Sequence, residues 1–125
     1  MIRSNAFVCA TCGQTYPLDS RDWRCACGGL FDLQTWPDFE LDRLDASQNG
    51  LWRYRNLLPT DQVWEPVTLG EGNTPLVPMD WNGLRLQLKL ESLAPTGSYK
   101  DRGTAVMVTA LRGLGVNRVV EDSSG

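Results

Sequence analysis

Four cysteines lie within the first 34 residues of this 125-residue chain, in two closely spaced pairs. Cys9 and Cys12 are spaced C-x₂-C, Cys25 and Cys27 are spaced C-x-C, and twelve residues separate the pairs. Thiolates suit tetrahedral Zn²⁺, and the chain contains no histidine, so a four-ligand protein site here has to be all cysteine. The spacing predicts a structural zinc ribbon over residues 7–33, because four thiolates leave no coordination position open for a substrate.

Two other states of the cysteines remain open, namely two disulfides or four free thiols. A Cys25–Cys27 bridge would close a very small, strained ring, and a reducing cytosol opposes disulfides. Gly13 follows the first pair and Gly28 the second, so the backbone can turn tightly there and direct amides at sulfur. We expect the metal to matter for stability, since a unit of about 30 residues has too little core to fold alone.

The charge balance argues against nucleic acid as a partner. The chain has a net charge of −3 and a sequence pI of about 4.8, and the cations and acids of residues 1–34 cancel. These are Arg3, Arg21 and Arg24 against Asp19, Asp22 and Asp32. No apolar run approaches the roughly 18 residues of a membrane helix, and no long apolar stretch follows the N-terminus. We therefore interpret the protein as cytoplasmic, without a membrane partner.

Lys100 stands in the stretch Ser98-Tyr99-Lys100-Asp101-Arg102-Gly103, after a loop rich in proline and glycine. The pattern predicts a helix with Ser98 as its cap, Lys100 in its first turn and Asp101 reaching back to the cap. The positive end of the helix dipole disfavours an ammonium group, and a site closed off from water does the same. A neutral amine is what Schiff-base chemistry with an aldehyde cofactor needs. The alternative is a solvated lysine in a helix cap.

The rest of the chain predicts an α/β organisation. Residues 51–58 indicate a short packing helix, and residues 84–90 alternate between leucine and polar side chains, as expected for a strand with one wet face. In the helix that follows, Gly115 is a plausible C′ residue, and Arg118 to Glu121 predict a strand, so that strand, helix and strand would form a right-handed crossover in an incomplete parallel sheet. An apolar stripe is expected on that helix at Met107, Ala110, Leu111 and Leu114.

These features divide the chain into a zinc ribbon over 1–34, a helical linker over 35–62 and an α/β unit over 63–125. Residues 119–125 look like a strand that runs into a loop, so we expect the chain to be a segment of a longer polypeptide. An unfinished sheet would expose hydrogen-bonding edges, which favours self-association into a homo-oligomer or poor order in the C-terminal third.

Five motifs, in order, resemble threonine synthase and related pyridoxal-phosphate enzymes of the tryptophan-synthase β-subunit fold (fold type II). They are Cys25-Ala26-Cys27-Gly28-Gly29, Leu51-Trp52-Arg53-Tyr54-Arg55, Leu69-Gly70-Glu71-Gly72-Asn73-Thr74-Pro75-Leu76, Lys89-Leu90-Glu91 leading into Pro95 to Gly103, and Glu121-Asp122-Ser123-Ser124-Gly125. The family usually has Asn where Ala94 stands and often Phe where Tyr99 stands. The lysine motif is the most specific of the five.

The resemblance implies roles for individual residues. Lys100 matches the Schiff-base lysine that holds pyridoxal 5′-phosphate and moves protons at the substrate. Ser123, Ser124 and Gly125 match the start of a loop that grips the carboxylate of a small-molecule amino-acid substrate. The implied reaction converts O-phosphohomoserine and water to threonine and phosphate. The family's glycine-rich cradle for the cofactor phosphate is not found among these residues, so we expect the 125-residue chain alone to have no useful activity.

Two further interpretations remain. A sister enzyme, such as a cysteate synthase-like or other β-replacement enzyme, would share the lysine motif but act on another substituted amino acid. A non-enzymatic zinc-binding interaction module would keep the ribbon and use the remainder of the chain as a surface.

Overall fold

The computed structural model describes residues 6–120, and these fall into an N-terminal sheet, a connecting segment, a hairpin and one long helix. The elements are β1 (Ala6–Cys9), β2 (Thr15–Pro17), β3 (Phe31–Leu33), β4 (Leu76–Trp81), β5 (Leu84–Lys89) and α1 (Asp101–Gly113), with 3₁₀ helices at Leu41–Arg43, Gly50–Leu57 and Glu91–Leu93. In the described residues, no helix is long and apolar enough to cross a membrane.

The N-terminal sheet is antiparallel, with β1 in the centre between β2 and β3. Phe7 of β1 lies opposite Tyr16 on one side and Leu33 on the other. The ring of Phe31 stacks on Phe7 at 5.7 Å between centroids and meets Tyr16 at 4.7 Å. Three aromatic rings make a small core, which is consistent with a unit that depends on a metal for stability.

The strand predicted at residues 84–90 is β5, and it pairs with β4 as an antiparallel hairpin rather than as part of a parallel sheet. Residues that lie directly opposite one another share a face. One face is entirely apolar and comprises Val77, Met79, Trp81, Leu84, Leu86 and Leu88. The other face carries the polar side chains of β5, with Arg85 opposite Asp80, Gln87 opposite Pro78 and Lys89 opposite Leu76. The predicted alternation is therefore correct, and the apolar face is largely exposed.

The prediction of a strand at residues 118–121 is wrong for its described part. Residues 116–120 form no strand, and Glu121 lies outside the described residues. A strand requires a hydrogen-bonded neighbour, and within residues 6–120 β5 pairs with β4 alone. The crossover of a parallel sheet is thus not formed by this part of the chain.

Helix α1 ends as its sequence predicts but buries a different stripe. Gly115 has φ +73° and donates its N–H to Arg112 O, while Val116 N–H reaches Leu111 O, which together form a Schellman cap. The buried residues of the helix are Ala105 and Thr109.

The predicted apolar stripe is instead only partly covered, and Met107 at its start is 46% exposed. The reason is where the neighbouring segments lie. Ala105 packs with Leu51 and Trp52 of the second 3₁₀ helix, and Val67 donates its backbone N–H to Thr109 Oγ1 at 2.9 Å. Spacing alone cannot show which of two adjacent stripes a distant loop will cover.

The connecting 3₁₀ helix is joined to the following loop by two glycines. A Cβ at Gly50 would lie 2.3 Å from Glu71 O, and a Cβ at Gly72 would lie 2.6 Å from Leu51 N. Both residues also have positive φ, at +60° and +103°. Their missing side chains let Leu51 N–H donate to Glu71 O at 3.0 Å, which holds the loop against the helix.

Candidate functional site

The two cysteine pairs, separated by twelve residues in the sequence, come together at one end of the N-terminal sheet. Their Sγ atoms all lie within 4.8 Å of one another. The closest pairs are Cys9 with Cys27 at 3.5 Å and Cys12 with Cys25 at 3.6 Å. A tetrahedron with Zn–S bonds of about 2.3 Å has S···S edges of about 3.8 Å, whereas a disulfide bond is about 2.05 Å long. All four cysteines are free, so the donor set fits a tetrahedral metal ion.

Two tight turns place these sulfurs. Gly13 donates its N–H to Cys9 O at 2.9 Å, and Gly28 donates its N–H to Cys25 O at 2.8 Å. Both glycines have positive φ, at +75° and +87°, as the sequence leads one to expect. Thr11 N–H points at Cys9 Sγ from 3.4 Å. Backbone donors therefore already face the sulfur where negative charge would accumulate.

Hydrogen bonds distribute the acidity of the four thiols unevenly. Tyr16 Oη donates to Cys25 Sγ at 3.3 Å and is the main cause that lowers the pKa of Cys25 to about 6. The Cys12 amide lowers the pKa of Cys9. The Gln14 amide acts to lower the pKa of Cys12, yet hydrogen bonds with the other three thiols raise it to about 12. Four adjacent sulfurs cannot all be charged without a cation, and a divalent ion would remove this conflict.

Tyr16 is a residue that the sequence analysis did not single out. It lies on β2 between the two cysteine pairs, and Ala26 N–H donates to its oxygen at 3.3 Å. The Tyr16 hydroxyl therefore both donates to Cys25 and accepts from Ala26, two neighbouring residues of the second cysteine turn. The sequence shows only that a tyrosine lies between the two cysteine pairs. Its position near Cys25 depends on the register of β2 against β1, which the cysteine spacing does not reveal.

Lys100 lies at the junction between the preceding loop and α1, because the helix begins two positions later than the predicted cap at Ser98 implies. It occupies the cap position itself, with φ −63° and ψ −20°, and its N–H donates to Ser98 Oγ at 3.2 Å. The Asp101 carboxylate does reach back, but to the N–H of Thr96 at 2.8 Å and to its hydroxyl rather than to Ser98. The side chain of Lys100 is exposed.

The chain has two lysines, and the structure places them differently. Lys89 Nζ, at the end of β5, donates to the backbone carbonyl of Thr74. Lys100 instead extends from the start of α1 into solvent. Both residues are exposed, and what distinguishes them is that the Lys89 amine is held by a hydrogen bond to Thr74 O.

Glu71 is a buried carboxylate with every oxygen engaged, and the sequence analysis gave it no role. Only 2% of it is exposed. It accepts from Trp52 Nε1 at 2.8 Å, from Leu69 N–H at 2.8 Å and from the Thr68 hydroxyl at 3.0 Å. The sequence feature that could have indicated its role is an acid placed between two glycines in the Leu69–Leu76 motif. Through Trp52, Glu71 joins two of the motifs that carry the resemblance.

A second network joins the Leu69–Leu76 motif to the lysine motif. The Arg102 guanidinium makes two bonds to Glu91, Nε to Oε2 at 2.8 Å and Nη2 to Oε1 at 2.9 Å. Arg102 Nη2 also donates to Thr74 Oγ1 at 3.1 Å, and that hydroxyl donates to Glu91. Arg102 first, and Thr74 second, lower the pKa of Glu91 to about 2. The carboxylate is therefore ionised at neutral pH.

A cavity of about 460 Å³ opens beside this network. It is lined by Gly50, Tyr54, Asn73, Lys89, Glu91 and Arg102. Lys100 does not line it, so the cavity and the predicted cofactor lysine are distinct features of the described chain. The predicted substrate residues Ser123, Ser124 and Gly125 lie outside the described residues.

Comparison with known proteins agrees with the family resemblance given by the sequence motifs. The family described as pyridoxal-phosphate dependent enzyme matches residues 67–125. A threonine synthase of Methanosarcina acetivorans is 36% identical over 94% of this chain, and one of Methanocaldococcus jannaschii is 37% identical over 94%. A threonine synthase of Mycobacterium leprae is 43% identical over 58% of the chain. The resemblance to threonine synthase-like pyridoxal-phosphate enzymes is thus confirmed.

These matches cover less than a third of the length of each relative. The chain spans 31% of the length of the two archaeal threonine synthases and 21% of the mycobacterial one. No solved structure gives a significant match.

Proposed function

We propose that this chain is the part of a threonine synthase-like enzyme that binds pyridoxal 5′-phosphate through Lys100 and carries a structural zinc ion in its cysteine ribbon. The observation that carries the proposal is the similarity over residues 67–125, within which Lys100 extends, exposed, from the start of a helix. The identities to threonine synthases over most of the chain favour that enzyme over its sister enzymes.

The residues present fit a lysine-bound cofactor. Pyridoxal phosphate supplies an aldehyde that reacts with an amine and a ring that accepts electrons. Lys100 would hold that aldehyde covalently. Once displaced by the substrate's own amine, its free amine would take the proton from the substrate's α carbon and return protons at the neighbouring carbons. Lys89 is a poorer candidate, because its ammonium is bound to the Thr74 carbonyl.

The proposed substrate is a small phosphorylated amino acid, O-phosphohomoserine. In the balanced reaction, the substrate and water give threonine and inorganic phosphate, with water adding at the β carbon. Ser123, Ser124 and Gly125 would bind the substrate carboxylate, since backbone amides and hydroxyls in such a loop suit an anion. Catalysis by the whole enzyme would also need groups beyond those described here, which include a cradle for the cofactor phosphate.

The zinc site would be structural. Four cysteine sulfurs within 4.8 Å of one another complete a tetrahedral shell and leave no place for water or substrate. Cys9 and Cys25 are buried, so the ion would stand in for the core that the small three-stranded sheet lacks.

The experiment is a titration of the native protein, purified from cells, with pyridoxal phosphate, followed by absorbance and by turnover of O-phosphohomoserine. We expect cofactor binding and phosphate release in the wild type, loss of both in Lys100→Ala, and retention of cofactor binding in Lys89→Arg. Turnover of O-phosphoserine instead would favour a sister enzyme. Binding of zinc without any cofactor would favour the non-enzymatic module.

A further inference from the structure

Within residues 6–120, the backbone hydrogen bonds of Lys100 stay inside its own loop and the first turn of α1. Its carbonyl accepts from Thr104 N–H at 2.9 Å, and its N–H donates to Ser98 Oγ. The loop before it is held by Asp101, which binds Thr96. All of these bonds lie within residues 96–104. They fix Lys100 relative to its helix, and something else has to fix the start of the helix.

Arg102 makes that connection. It lies in the first turn of α1 and forms a two-pronged bond to Glu91 and a further bond to Thr74. Glu91 follows the end of β5 and Thr74 precedes the start of β4. Arg102 therefore bonds to the segments next to both strands at the open end of the hairpin. Leu90 N–H also donates to Pro75 O at 3.0 Å across that end.

The geometry of the helix keeps this contact away from the amine. Successive residues of an α-helix are rotated by about 100°, so the side chains of residues 100 and 102 leave the helix on nearly opposite sides. Arg102 points inward, with 32% of its side chain exposed, and Lys100 points into solvent. Arg102 can therefore influence Lys100 by placing it and not by touching its amine.

We propose that Arg102 and Glu91, with Thr74, are positioning residues for Lys100, and that they set the rotation and depth of the start of α1 against the β4–β5 hairpin. This inference rests on the proposed role of Lys100 as the cofactor lysine. A guanidinium that bonds a carboxylate through two parallel N–H groups fixes orientation as well as distance. A reacting amine displaced by about 1 Å can lose about a hundredfold in rate, so the orientation matters for the chemistry.

The test compares Arg102→Lys with Arg112→Lys in the native protein. Lysine keeps the charge of Arg102 but cannot form the planar two-pronged bond. Arg112 is the matched control, because it is an exposed arginine in the last turn of the same helix. Each protein is incubated with pyridoxal phosphate. The affinity of the protein for the cofactor is measured by absorbance, and the fraction of Lys100 that is labelled is measured after borohydride reduction. We expect Arg102→Lys to lower both by about threefold to tenfold, and Arg112→Lys to change neither.

A second measurement needs no cofactor. Amide hydrogen exchange at residues 100–104 should be several-fold faster in Arg102→Lys and in Glu91→Gln than in Arg112→Lys, and the double variant should show little beyond either single one. If Lys100 is labelled normally and exchange at 100–104 is the same in Arg102→Lys as in Arg112→Lys, the positioning role is refuted while the cofactor assignment stands. If wild-type Lys100 is not labelled at all, the proposed function fails first.

Discussion

The ribbon and the lysine region solve the problem of building a site in opposite ways. In the ribbon, two tight turns within about 20 residues bring together four sulfurs that are sufficient for a tetrahedral shell. Around Lys100, residues from three separate motifs are tied into the buried Glu71 cluster and the Arg102–Glu91 pair, yet the lysine itself is exposed. A site made of adjacent turns can be complete in a short segment, whereas a cofactor lysine needs surroundings drawn from distant parts of a sequence.

The largest effect expected is loss of the metal from the ribbon. Cys25→Ser should abolish zinc binding and unfold residues 6–34, because binding of structural zinc contributes about 10 kcal/mol or more to folding of such units. The contacts of Leu51 and Ala105 should persist. Native mass spectrometry would count the zinc bound per chain, and amide exchange in β1 would report the unfolding of the ribbon.

Ala10→Ser is the control for this substitution, since it introduces the same side chain at an exposed position next to another cysteine, Cys9. Full β1 protection in Cys25→Ser, with no metal bound, would show that the ribbon does not depend on the ion.

A smaller effect is expected from the buried acid of the other region. Glu71→Ala would leave the Trp52 indole and the Leu69 amide without an acceptor, at a cost of about 3 kcal/mol in the free energy of unfolding. The loss should appear in α1 and not in the ribbon. Amide exchange in α1 against β1 would measure it, with Glu65→Ala, an exposed acid, as the control. Equal loss in both regions would mean that they are one cooperative unit.

Two glycines of α1 should respond to alanine with opposite signs. A Cβ at Gly113 would lie 2.3 Å from the Trp64 ring, whereas a Cβ at Gly103 would meet nothing within 4 Å. Gly113→Ala should destabilise the helix by about 1–3 kcal/mol through this clash. Gly103→Ala should stabilise it by up to about 1 kcal/mol through helix propensity. Thermal unfolding of both variants tests this, and a stabilising Gly113→Ala would contradict the packing of Trp64 on α1.

The smallest effect expected is a dependence on acid. The pKa of Glu91 falls from its ordinary 4.5 to about 2 because of Arg102 and then Thr74. A lowered pKa means that the folded protein binds a proton less readily than the unfolded chain. The stabilisation is therefore complete above about pH 4.5 and is lost as the pH falls through about 2. The difference in unfolding free energy between wild type and Glu91→Gln should shrink over that range, and a difference that stays constant down to about pH 2 would contradict the role of Arg102.

Local chemistry in the sequence predicted more of this protein than its long-range order did. The cysteine spacing, the alternation of residues 84–90 and the glycine cap of α1 at Gly115 are all set by neighbours a few residues away, and the structure agrees with them. The strand at 118–121 depends on which distant segment lies alongside, and there the prediction was wrong in its described part. Which side of α1 becomes buried depends on distant segments too, and the sequence analysis made no prediction of it. Tyr16, Glu71 and Arg102 were missed for the same reason, since each acts on a residue at least nine positions away.

The most direct test of the account is to find which amine holds the cofactor. The native protein is incubated with pyridoxal phosphate, reduced with borohydride, digested, and its peptides are mapped by mass spectrometry. The account predicts that the label lies on Lys100, the exposed lysine at the start of α1. A label on Lys89 or on any other amine, with Lys100 unmodified, would contradict it.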